Sequence, residues 1–353
     1  MTVRVRVAVI GTGWWATATH IPALLEHPSV DLVALCDVSE ERARAAGAAF
    51  GVERIYTDHR RMLSAERPDA VVVATTHATH FTVACDSLEA GAHVLIEKPM
   101  TLLAMDARAL AMRAVQVGRA VIVGYPWNYR SHVRQVRDVL VSGRLGPIQV
   151  VQSVFNSYNT DLIGGRDRTE KGAYAVHGPG DVYSRKEHSG GGHGHLQMTH
   201  AAGLLFFVTG LRVSRVQARM ASHGLPLDLV NVIQVEFEGG ALGTVSGTSN
   251  SFLPESRLVI GCARGSVLLD LFAGTTVIRA EGGEQEHLPP AADHDLPRAP
   301  VRNLVGVALG VEEPGSPAEV GWRAVELLDA AYRSADADGR PVALAELYPE
   351  GGQ

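Results

Sequence analysis

An α/β fold is predicted: a doubly wound parallel sheet in the first third of the chain, then an α+β half with an open, mostly antiparallel sheet. Three observations carry this expectation. Short β-branched runs alternate with helical stretches up to about residue 124, close-spaced strands without intervening helices follow, and a strong helix closes the chain. At 353 residues the chain exceeds what one hydrophobic core usually serves, so two closely packed domains, 1–124 and 125–353, are expected.

Strands of the first part are expected at 3–10, 32–36, 70–74, 94–96 and 120–123. Their near-continuous apolar character fits a sheet covered on both faces. A helix is expected over 39–50, with Ser39 as N-cap and Glu40 and Glu41 complementing the dipole of its first turn. In the second half, 230–237, 241–249, 257–262 and 266–271 group β-formers between glycine turns, which argues for antiparallel neighbours. Residues 281–316 are rich in Pro, Gly and acidic residues and read as loop or mobile cover. A helix from 317 to about 335 ends the pattern.

Composition excludes several functions. With 32 basic and 38 acidic residues the formal charge is −6, the wrong sign for a general nucleic-acid binder. No apolar run reaches membrane-spanning length, and the N-terminus lacks the regions of a signal peptide, so a cytoplasmic protein is expected. Cys36, Cys85 and Cys262 are too few and too scattered for a disulfide framework or a thiolate zinc site.

The first expected strand runs into Gly11-Thr12-Gly13-Trp14-Trp15-Ala16 and then a helix. Gly11 permits a tight turn, Gly13 lets backbone amides approach a pyrophosphate, and Ala16 keeps the helix close to the sheet. That context marks a dinucleotide-binding, Rossmann-type turn. Asp37 ends the second strand, where a carboxylate accepts hydrogen bonds from ribose hydroxyls and repels a 2′-phosphate. No arginine immediately follows it, so NAD is expected rather than NADP.

Two further stretches carry a family resemblance. Thr75-Thr76-His77-Ala78-Thr79-His80 is followed by Leu88-Glu89-Ala90-Gly91-Ala92-His93-Val94-Leu95-Ile96-Glu97-Lys98-Pro99, and together they resemble the Gfo/Idh/MocA family, named for glucose–fructose oxidoreductase and inositol dehydrogenase. The likeness continues in Gly143-Arg144-Leu145-Gly146-Pro147-Ile148, in the segment from Gly190 to His200, and in the closing helix with Tyr332, Ser334 and Gly339. It thins at 155–188 and 281–316.

The resemblance implies an active site between the two domains. Lys98 would sit beside the nicotinamide and touch the reacting hydroxyl, with Pro99 shaping the turn, often through a cis bond, and His200 as the second catalytic residue. Thr12, Trp14, Trp15, Thr75, Thr76, His80 and Glu97 would join Gly11, Gly13 and Asp37 around the cofactor. A lysine at the carboxyl end of a parallel strand points into the ligand crevice, and one tuned toward neutrality can take a hydroxyl proton as hydride leaves the same carbon.

One position departs from the family pattern. Many members place an aspartate four residues before the histidine, where this chain has Leu196; Gln197 is the nearest polar residue, and an amide is no general base. Residues 156–188 read as the specificity region, a long polar stretch holding Asn156, Tyr158, Asn159, Arg166, Asp167, Arg168, Lys171, Tyr174 and His177. Trp127, Tyr158, Arg166, Tyr174, His195 and Gln197 are the candidate substrate contacts. His188, His193, His195 and His200 invite a metal reading, but no carboxylate or thiolate lies close in sequence and no metal is expected.

The leading expectation is NAD-linked oxidation or reduction of a secondary alcohol on a sugar, cyclitol or related polyol. The alternative keeps NAD bound and recycles it, so that transient oxidation enables epimerisation, elimination or glycoside cleavage; a non-catalytic NAD or metabolite sensor is the third. A homodimer or homotetramer is expected through the second sheet, from apolar positions such as Val232, Val235, Leu242, Val245 and Leu258.

Overall fold

The computed structural model describes residues 4–166, 176, 178–283, 285–289 and 295–348. Six strands form the first sheet: β1 (Val5–Ile10), β2 (Val30–Cys36), β3 (Ile55–Tyr56), β4 (Ala70–Val73), β5 (His93–Ile96) and β6 (Val121–Val123). Among the described residues they pair in the order β3-β2-β1-β4-β5-β6, every pair parallel. Alternate residues of β1 feed two cores. Val5, Val7 and Val9 face one cluster while Ala8 and Ile10 face the other, as a sheet buried on both faces demands. The strand order reverses between β1 and β4, and a crevice forms there outside the carboxyl ends of the strands.

The second sheet takes β7 (Ile148–Tyr158), β8 (Val213–Ala221), β9 (Val230–Phe237), β10 (Leu242–Thr248), β11 (Asn250–Cys262), β12 (Gly265–Asp270), β13 (Thr275–Ala280), β14 (Gln285–Leu288) and β15 (Val342–Ala343). Their order is β14-β13-β12-β11-β7-β10-β9-β8-β15, antiparallel except where β7 runs parallel to β10. Helices Thr199–Thr209 and Ala318–Asp336 join this sheet to the first domain through one continuous core. No helix of the described residues is long and apolar enough to cross a membrane.

The structure corrects two expectations. The segment read as loop or mobile cover contains β14 and the helix Ala299–Ala308, whose Val301, Leu304 and Val305 are fully buried against the first sheet. Apolar residues at 301, 304, 305 and 308 carry helical spacing; Pro300 masks it, although proline is tolerated in a helix's first turn. The second correction concerns the expected oligomer face. Val235, Val245 and Leu258 lie in the core, and only Val232 and Leu242 of that set are exposed. Strand side chains alternate, so Val232 and Val235 could never share a face.

Leu304→Ala should therefore cost about 2–5 kcal/mol in urea unfolding, as a core truncation does. A loss within about 0.5 kcal/mol, the surface range, would show the helix to be mere cover.

Candidate active site

The glycine turn leaves β1 with Gly11 at φ +92°, a left-handed conformation. A Cβ on Gly11 would lie 2.4 Å from the Ala74 carbonyl oxygen at the end of β4, so only glycine fits. Gly13 is the opposite case: a Cβ there would meet nothing within 4 Å, because it faces an open cavity. That cavity has a volume of about 390 Å³, and its walls include Gly11, Gly13, Trp14, Trp15, Asp37, Thr75 and Thr76. Thr12 stands aside: its amide (2.9 Å) and hydroxyl (3.2 Å) both donate to Asp37 Oδ2. Asp37 Oδ1 accepts from the Ser39 amide at 2.9 Å, and Ser39 caps the next helix as expected. That helix also brings Arg42 to 3.9 Å from Asp37, a neighbour the sequence pattern did not reveal.

A second cavity of about 220 Å³ shares Trp14, Trp15, Ala74, Thr75, His77 and Tyr183 with the first. Glu97, Lys98, Gln197 and His200 line it. The Lys98–Pro99 bond is cis. Lys98 Nζ donates to the Leu196 carbonyl at 3.1 Å. Burial draws the lysine's pKa below the ordinary range, and the Glu97 carboxylate opposes that shift. His200 sits against Tyr125, Trp127 and Phe155, and its Nδ1 is buried without a hydrogen-bond partner among the described residues. Burial, aided by the charge of Lys98, pulls His200 well below the usual histidine value.

The segment before His200 is clamped, not loose. Asp228 Oδ1 accepts from the Gly192 amide (2.7 Å) and the Tyr332 hydroxyl (2.9 Å), and its Oδ2 accepts from the Gly194 amide (2.9 Å) and Asn231 (2.8 Å). A Cβ on Gly192 would fall 2.1 Å from the Asp228 carbonyl oxygen, and one on Gly191 or Gly194 would strike the Tyr332 hydroxyl. Close approach explains these glycines. Leu196 turns its side chain into a small apolar cluster with Leu162, Ile163, Leu227 and Leu229, which leaves its carbonyl for Lys98.

Several expected site residues lie elsewhere. His80 lines neither cavity; its Nδ1 meets the Pro99 carbonyl at 2.8 Å and its Nε2 the Thr75 carbonyl at 3.2 Å, tying the two site turns together from behind. His195 is stacked on Tyr332 at 4.5 Å, its pKa lowered by burial to about 4. Tyr158 stacks on Phe252 and Arg166 pairs with Asp161, both outside the cavity walls. Trp127 stands behind His200, and Tyr174 lies outside the described residues with Asp167, Arg168, Lys171 and His177. Asn159 does reach the second cavity. Sequence reasoning missed Tyr183, which accepts from Trp14 Nε1 at 3.3 Å, and Pro297 and Pro300, which close the far wall. Among the described residues no cluster of His, Cys, Asp and Glu is arranged to hold a metal ion.

The model of the oxidoreductase family with an NAD-binding Rossmann fold matches residues 5–125, and that of the Gfo/Idh/MocA C-terminal domain matches 133–268. The chain belongs to the Gfo/Idh/MocA family. Among curated relatives, D-apiose dehydrogenase of Paraburkholderia graminis is 36% identical over 143 residues, 40% of this chain and 38% of that protein. D-glucoside 3-dehydrogenase of Escherichia coli is 31% identical over 145 residues, 41% of each. The chain thus spans about two fifths of the length of these curated relatives. The fold is shared more fully: an inositol dehydrogenase homolog from Azotobacter vinelandii, complexed with NAD+, superposes with a TM-score of 0.81 at 22% identity, covering 97% of this chain and 98% of that one.

Within this family member, the Asp228 clamp should hold the approach to His200. Asp228→Ala should speed amide hydrogen exchange across residues 190–196 and cost about 2 kcal/mol or more, since buried donors lose their acceptor. Unchanged exchange in that segment would contradict the assignment.

Proposed function

We propose that this protein binds NAD and uses it to oxidise a secondary alcohol of a sugar, cyclitol or related polyol, or to run the reverse reduction, with Lys98 as acid/base and His200 as its partner. The observation that carries the reading is the pair of adjoining cavities: a trough of about 390 Å³ walled by the glycine turn and Asp37 shares residues with a pocket that both Lys98 and His200 line. The donor set fits the cofactor. Open space at Gly13 leaves room for a pyrophosphate beside the backbone, and Asp37 in the same cavity wall would accept from ribose hydroxyls. The names of the two dehydrogenase relatives support the substrate class.

When bound, the nicotinamide would supply the hydride acceptor. The chain's own part is proton movement and positioning. Lys98 Nζ, its proton affinity reduced by burial, takes the hydroxyl proton, and the Leu196 carbonyl steadies the amine on the cavity side. His200, drawn well below the usual histidine value, stays neutral and donates one ring N–H toward a substrate oxygen. Trp14, Trp15, Tyr183, Pro297 and Pro300 wall the pocket and limit water.

The test is a panel of neutral sugars and cyclitols followed at nicotinamide absorbance. At least one should reduce NAD; silence across the panel, with cofactor bound, would sink the reading. Calorimetry should find NAD bound at least about tenfold tighter than NADP, because a 2′-phosphate meets Asp37 at close range. Asp37→Ala removes that repulsion and releases Arg42, so the gap should narrow or invert. Equal affinities in the wild type would contradict the role of Asp37.

A further inference from the structure

Glu97 is a carboxylate in the wall of the second cavity, with 12% of its side chain exposed. Its Oε1 receives two side chains at once, Trp15 Nε1 at 2.9 Å and His20 Nε2 at 2.8 Å, while Oε2 takes the Lys98 amide at 3.2 Å. Gly124 boxes the carboxylate in: a Cβ there would lie 2.9 Å from Oε1. His20 itself is 1% exposed, lines neither cavity, and among the described residues has no hydrogen-bond partner for Nδ1.

The backbone is deformed to make this pair of donors. Residues 15 and 20 are five apart, and in an α-helix they would point about 140° away from each other. Residues Ala16–His20 instead form a π turn, closed by the Ile21 amide donating to the Ala16 carbonyl. A wider i→i+5 turn stacks residues five apart, and such turns recur at functional sites. Here it brings the Trp15 and His20 rings to 6.4 Å and both N–H groups to one oxygen.

We propose that His20 is a positioning residue that, with Trp15, holds the Glu97 carboxylate under Lys98 and so sets the charge state of that lysine. The role is indirect: His20 touches Glu97, and Glu97 acts on Lys98. Burial alone pushes a carboxylate toward its neutral form, but His20 and Lys98 outweigh it and keep the Glu97 pKa below its ordinary value. The resulting anion raises the proton affinity that burial takes from Lys98. The other titratable groups facing this pair are His77 and His80 from the turn and helix after β4, His200 from the second domain, and the Tyr125 and Tyr183 phenols. None of these five is hydrogen-bonded to Glu97. Only the consequence for turnover rests on reading Lys98 as the acid/base.

The experiment titrates Lys98 directly. The chain has three lysines, Lys98, Lys171 and Lys186, so lysine labelled with ¹³C at Cε gives a short spectrum in which Lys98→Arg identifies the signal. In His20→Phe the Lys98 midpoint should fall by about one pH unit, a tenfold loss of proton affinity. His20→Gln, which keeps a donor, should stay near the wild type. Glu97→Gln should fall alike, and adding His20→Phe to it should change nothing more, as expected for two residues on one path. Trp15→Phe, which removes the other donor, should shift the midpoint the same way and serves if His20→Phe fails to fold. A wild-type midpoint in His20→Phe, or a double variant that shifts by the sum, would overturn the proposal. The readout needs neither cofactor nor substrate, so it fails separately from the dehydrogenase reading, which stands or falls on the sugar panel.

Discussion

A carboxylate drawn out of water must be met by donors or by opposite charge, and Glu97 meets that demand at the carboxyl end of β5. Its partners are the Trp15 and His20 side chains after β1 and the amide of the next residue, and Gly124 after β6 leaves the carboxylate its room. Satisfying this one group fixes the start of the first helix against the ends of β5 and β6, and fixes where Lys98 leaves the sheet. Gly11 pressed on Ala74 does the same between β1 and β4. The crevice is therefore walled by chain ends that cannot move independently.

A second carboxylate performs the matching task in the other domain. Asp228 gathers two glycine amides, Asn231 and Tyr332, and draws the segment before His200 tight against the closing helix. Leu196 then buries its side chain in an apolar cluster and presents its carbonyl to Lys98. The side chain at position 196 thus serves packing, and the backbone provides the polar contact across the domain boundary. Two anions, one in each half, bring Lys98 and His200 to one cavity.

The first domain was legible because its signals are local. A glycine turn after a strand, an acid at the end of the next strand and a lysine at a strand end each follow from backbone geometry. What escaped was long-range or irregular. His20 gains its meaning from a π turn that no periodicity announces, and Asp228 is a single acid in a connection until Gly192 and Gly194 are seen against it. The helix Ala299–Ala308 hid behind a proline, although its apolar spacing was present. His195 looked like a pocket residue because its neighbours are, but helical turning sends it behind the wall to Tyr332.

The central claim is that Lys98 exchanges a proton with the substrate hydroxyl. Its most direct test is the pH profile of single-turnover hydride transfer, comparing wild type with Lys98→Ala on the sugar that the wild type oxidises fastest. Burial lowers the Lys98 pKa below the ordinary lysine range, so oxidation by the wild type should rise with pH through an ionisation in that lowered region and then level off. In Lys98→Ala that ionisation should vanish and the plateau should fall by about 10² to 10⁴, the usual share of general acid–base catalysis. A variant that keeps near-normal rates and the wild-type profile would contradict the account.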